Sequence, residues 1–106
     1  KENTEKKNIK NKKKQKRVKI INDADKILLS KNKSNKEKQY TCRKVGLYLI
    51  NNGKEKLGLE YISECVKYGE RIYGTSHHRV LSDYNFYNKL CNRIDIILKA
   101  RRNFNN

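Results

Sequence analysis

Two glycines set inside helix-spaced apolar runs constrain this chain more than any other feature. Cys42, Val45, Gly46 and Leu49 recur at i, i+3, i+4 and i+7, which is one face of an α-helix. Gly58, Ile62, Cys65 and Gly69 recur at i, i+4, i+7 and i+11, again on a single face. Between the two runs, Asn51-Asn52-Gly53 supplies the residues that end a helix in a left-handed cap. A glycine inside a helix costs roughly 1 kcal/mol relative to alanine. Glycines at 46 and 58 make sense where two antiparallel backbones must approach closely. The pattern predicts a helical hairpin, a unit that works by being stacked and bound.

The first arm of the hairpin is expected over Gln39 to Asn51 and the second over Lys54 to Tyr73. Gly74 stops the second arm, Arg71 suits its C-terminal end, and Thr75-Ser76 offers an N-cap to the next helix. A long third helix is expected from His78 to Arg102, because Val80, Leu81, Tyr84, Tyr87, Leu90, Cys91, Ile94, Ile97 and Leu98 keep helical spacing. Upstream, Val18, Ile21, Ala24 and Leu28, with Ile20 and Ile27 beside them, mark an amphipathic helix over Arg17 to Ser30. Residues 1–16 hold almost no apolar side chains and read as a disordered basic tail. The expected organisation is therefore a tail at 1–16, a helix plus charged linker at 17–38, a hairpin with a capping helix at 39–102, and a frayed end at 103–106. No proline interrupts these helices and no run alternates as a strand would, so the fold class is all-α.

The net charge is +16, and it is unevenly placed. Residues 1–40 carry a net of +10, and the remainder carries +6. A nucleic-acid surface on the fold itself would need the opposite bias. The 106 residues leave room for one small domain, and the initial Lys with its low-complexity run suggests a piece of a longer protein. Cys42, Cys65 and Cys91 form no CxxC pair and read as reduced thiols, which points to an intracellular setting, cytoplasmic or nuclear. No apolar run approaches the roughly 20 residues of a membrane span, so no membrane partner is expected.

The hairpin resembles a tetratricopeptide repeat (TPR), and more closely the long variant found in kinesin light chains. Cys42, Val45, Gly46 and Leu49 occupy the first-helix positions of that repeat, Gly53 the turn, and Gly58, Ile62 and Cys65 the second-helix positions. The variant closes with a Gly-x-x-His-Pro connector. Gly74-Thr75-Ser76-His77 matches its first part, and His78 stands where the proline would be. Asn88, 42 residues after Gly46, departs from the small-residue position of a second repeat, so a terminal capping helix is expected there. Similar helix pairs, with the same kind of connector, occur in the C-terminal region of SET-MYND lysine methyltransferases. By the TPR resemblance, peptide ligands lie in a groove lined by first helices. Arg43, Lys44 and Tyr48 on one helix, with Asn85 and Lys89 on the next, become its candidate residues.

No catalytic constellation is visible. His77 and His78 are the only histidines, and adjacent positions point about 100° apart on a helix, unlike the i, i+4 pair of a helical metal site. His77 is expected to pack in the connector and hydrogen-bond its backbone, and His78 to face solvent. No metal or cofactor is implied. Tyr48, Tyr61, Tyr68, Tyr73, Tyr84 and Tyr87 either pack between helices or form stacking platforms for single-stranded nucleic acid, the packing reading leading. Lys12, Lys13, Lys14, Lys16 and Arg17 form a candidate polyanion-binding or nuclear-import segment.

These readings converge on a helical-repeat module for protein–protein interaction, a scaffold in which no catalytic constellation is visible and which leaves open whether the parent protein is an enzyme. Its expected partners are a protein or acidic peptide, RNA through the basic tail, and either a second copy or further repeats outside this chain. Two other functions stay open: a basic RNA-associated component of a ribonucleoprotein assembly, or the C-terminal helical region of a SET-MYND-type lysine methyltransferase.

Overall fold

The structure, a computed structural model, describes the backbone of residues 2–105 and the side chains of residues 9–104. Four helices succeed one another along the described chain: α1 (Glu2–Leu29), α2 (Asn35–Asn51), α3 (Glu55–Tyr73) and α4 (His78–Asn105). No strand occurs among the described residues, and the all-α class is borne out. Helices adjacent in sequence pack side by side, α2 on α3 most extensively. The result is a slab of 55 × 36 × 14 Å, little more than one helix thick.

The α2–α3 hairpin is held together at its two internal glycines. A Cβ on Gly46 would lie 2.7 Å from Ile62 Cδ1 and 2.9 Å from the Gly58 carbonyl oxygen. A Cβ on Gly58 would lie 2.6 Å from the Gly46 carbonyl oxygen and 3.0 Å from the Ile50 nitrogen. The close approach anticipated from the sequence is therefore backbone against backbone. Gly53, at φ +82°, makes the turn. Gly74, at φ +86°, ends α3 while its N–H donates to the Glu70 carbonyl.

Around the hairpin, Cys42, Val45, Leu49, Tyr61, Cys65 and Tyr68 form one apolar cluster with Ala24. Ile20, Ile21 and Leu28 of α1 pack against it. Leu49, Ile62, Ile94 and Val80 are fully buried, and each such side chain contributes roughly 1.5–3 kcal/mol. Two polar links tie the outer helices on. Tyr61 on α3 donates from its hydroxyl to Asp25 Oδ1 of α1 at 2.8 Å. Arg101, near the end of α4, pairs with the buried Glu55 at the start of α3 at 2.8 Å.

Several boundaries differ from expectation. α1 is helical from Glu2, well before Arg17, across a stretch read as disordered. Lys, Gln and Glu are good helix formers, and the packed half of α1 provides a nucleus from which the helix extends. Lys1 lies outside the described residues. α2 starts at Asn35 instead of Gln39, because Ser34 Oγ accepts the Glu37 N–H at 3.2 Å. That is half of a Ser-x-x-Glu capping box, which shortens the expected linker. α4 begins at His78, so the capping residue is His77 and not the Thr75-Ser76 pair; its Nδ1 accepts the Arg79 N–H at 3.1 Å. α4 also runs past Arg102 to Asn105, where a frayed end was expected, and Asn106 lies outside the described residues. Val18, Leu81 and Ile97, all expected on apolar faces, are exposed.

Candidate functional site

A groove of about 400 Å³ runs between α1 and α2. Its floor is apolar, made by Ile20, Ala24 and Ile27 of α1 and Val45 of α2. Tyr40, Lys44 and Tyr48 stand along the α2 side at i, i+4 and i+8, and Asp23 stands on the α1 side. The periodicity that buries Cys42, Val45 and Leu49 against α3 necessarily turns this second stripe of α2 toward α1. Tyr40 is 67% exposed, and the Lys44 ammonium sits 6.0 Å from its ring centroid. An apolar floor beside one cation and two phenol rings suits a short peptide with an apolar anchor and an acidic group.

Of the five groove residues expected from sequence, only Lys44 and Tyr48 meet here. Arg43 points the other way, toward α4. Its Nη1 lies 3.9 Å from Asp83 Oδ1 and its guanidinium stacks 4.7 Å above the Phe86 ring. Gln39 Nε2 donates to Asp83 Oδ2 at 3.4 Å. Burial pushes the Asp83 carboxyl above its usual range, and the Arg43 charge opposes that. Asn85 and Lys89 are exposed on α4, outside the α1–α2 groove. Asp83 and Phe86 are not anticipated by the sequence reading, since nothing in local spacing ties them to a residue so distant in sequence. Tyr40 is missed as well, although its i, i+4 relation to Lys44 is legible.

The remaining expected residues are structural in their placement. Cys42, Val45, Gly46, Leu49, Gly58, Ile62 and Cys65 are all buried, while Gly53, Gly74 and His77 shape the two connections. His77 stacks on Tyr73 at 4.9 Å and on the exposed His78 at 4.3 Å. Burial pushes the Cys42 thiol up to about 12, aided by the nearby Cys65, Glu64 and Asp25. Burial likewise raises Cys65 to about 11. Neither thiol is a nucleophile at neutral pH.

Tyr61 and Tyr68 are buried, and Tyr48, Tyr73, Tyr84 and Tyr87 are half-buried. Besides Tyr61, which donates to Asp25, three of them engage their polar or π faces internally. Arg71 stacks on Tyr68 at 4.9 Å, Arg79 stacks on Tyr73 at 5.2 Å and donates to its hydroxyl, and Tyr84 donates to Glu70. No continuous stacking platform results among the described residues. Lys12, Lys13, Lys14 and Lys16 are exposed on α1, with Arg17 half-buried at the point where the helix meets the body. No helix among the described residues is long and apolar enough to cross a membrane.

No protein-family model, curated protein or solved structure matches this chain.

Proposed function

We propose that this chain is a helical-repeat module for protein–protein interaction, of tetratricopeptide type, and that it binds an acidic peptide segment of its partner. The α1–α2 groove carries this reading: an apolar floor with Lys44, Tyr40 and Tyr48 beside it, on a slab whose helices stack in sequence order. A rigid hairpin fixed by Gly46 and Gly58 presents the α2 side chains from a backbone that needs no ordering at binding. The peptide's apolar side chain enters between Ile20 and Val45, and its carboxylate meets the Lys44 ammonium.

A pull-down from nuclease-treated cell extract with the full chain and its Lys44→Glu variant tests this. Defined proteins that survive nuclease and are lost, at least tenfold, with Lys44→Glu are the expected result. Recovery that vanishes with nuclease, or that is indifferent to Lys44, overturns it.

A further inference from the structure

The start of α4 is capped by a side chain that protonation would disable. His77 stands just before the helix, and its Nδ1 accepts the Arg79 N–H at 3.1 Å. Its carbonyl oxygen takes the next two N–H groups, from Val80 and Leu81, each at 3.0 Å. A helix leaves its first N–H groups without partners of their own, so this imidazole does at α4 what the Ser34 hydroxyl does at α2. The two caps differ in one respect. An Nδ1 that accepts is bare, with the ring proton on Nε2, and a second proton turns it into a donor aimed at another donor.

The surroundings act in the same direction. The His77 ring stacks on Tyr73 of α3 at 4.9 Å and on His78 of α4 at 4.3 Å. The Arg79 guanidinium sits 5.2 Å over the Tyr73 ring and donates to its hydroxyl at 2.8 Å. The charged groups on the last turn of α3 are engaged elsewhere, Arg71 over Tyr68 and Glu70 with the Tyr84 hydroxyl. Among the described residues no carboxylate lies within ion-pair distance of either histidine. A protonated His77 therefore joins Arg79 and His78 at the positive end of the α4 dipole with no anion to offset it.

We propose that the α3–α4 joint is a pH-sensitive switch: neutral His77 caps α4 and holds its first turn on the hairpin, and protonated His77 releases that turn. Imidazole is the side chain that changes charge between about pH 5 and 8. The cap is present while Nδ1 is bare, so its contribution is complete at the upper end of that range and is lost as pH falls. The released turn carries two anchors. Val80 is fully buried and lies against Gly69, and Asp83 holds Gln39 and Arg43 of α2. Burial raises the Asp83 carboxyl, so acid has a second target close by, and the variants below separate the two. The α1–α2 peptide groove is not involved.

The test is amide exchange in the full chain, read by NMR at pH 7.5 and pH 5.0, with each rate divided by that of the same residue in an unstructured peptide. Protection at Arg79, Val80 and Leu81 should fall about fivefold on acidification, the worth of one N-cap, while Glu37 on its Ser34 cap changes by less than about twofold. Asparagine caps without titrating, so in His77→Asn the protection of α4's first turn should be flat with pH. His77→Ala should be poorly protected at both pH values. Protection that does not change with pH in the parent overturns the proposal. So does a fall that persists in His77→Asn, which would assign the effect to Asp83. A His77→Ala chain as well protected as the parent at pH 7.5 overturns it too, since the imidazole would then not be the cap.

Discussion

Gly58 is the residue on which the hairpin turns most directly. Alanine there gains roughly 1 kcal/mol of helix propensity, but its Cβ would sit 2.6 Å from a backbone oxygen that has no room to move. Gly58→Ala is therefore expected to lower stability by a net of about 1–2 kcal/mol, read from the urea midpoint. Gly46→Ala should cost a comparable amount, because its Cβ would meet the Gly58 carbonyl oxygen at 2.9 Å as well as the fully buried Ile62 side chain at 2.7 Å. A stabilised Gly58→Ala chain would contradict the backbone-contact account. The buried thiols give a second test at this scale. Their folded pKa values, about 12 for Cys42 and about 11 for Cys65, lie above the ordinary value of 9.0. Burial thus favours the protonated form, and stability is fully present below pH 9 and falls as pH rises through the folded values. Replacing both by Ala should flatten the decline in melting temperature between pH 8.5 and 10.5, measured by circular dichroism.

At the scale of the element, each helix shows a different division between sequence signal and tertiary cause. α3 is legible almost to the residue and α2 at its C-terminal end, because Cys42 to Leu49 and Gly58 to Gly69 keep a strict period and Gly53 and Gly74 punctuate them. The early start of α2 is also written in the sequence, in Ser34 and Glu37, but the charged run around them obscures it. The first half of α1 is not legible, because helix-forming residues without an apolar stripe give no periodicity to read. The placement of α4 depends on partners that no local pattern names. Glu55 is buried, yet its carboxyl is held below the usual range, first by its own backbone N–H at the start of α3 and then by Arg101. A lowered pKa contributes stability above the unfolded value, which is lost as pH falls through the folded one. Arg101→Ala leaves that carboxylate without its ion pair. It should lower stability by about 1 kcal/mol, since the arginine is half exposed, and should speed amide exchange in the last turns of α4.

For the molecule as a whole, sequence-order packing into a slab 14 Å thick leaves each helix few partners outside its neighbours. Large apolar side chains remain exposed along it, among them Leu29, Ile96 and Phe104. Stacked helix pairs bury such surfaces against further pairs or bound partners. The anticipated five-residue groove dissolves at this scale for one reason. Arg43 and Lys44 are adjacent on α2, so helical geometry turns them about 100° apart, one toward Asp83 and Phe86 and the other toward α1. Sequence can nominate both, but only the packing of α1 and α4 on opposite sides of α2 decides which lines an open groove. The proposed interaction surface is thus a property of the assembled slab, with Lys44 and Tyr48 its legible part and the α1 floor its emergent part.

Selection of a displayed random peptide library on the full chain, with rebinding to Lys44→Glu and Tyr48→Ala, tests the peptide-groove account most directly. The account predicts peptides that combine an apolar anchor with an acidic residue and lose at least tenfold in affinity on each variant. Peptides without acidic residues, or peptides that bind both variants as well as the parent, would contradict it.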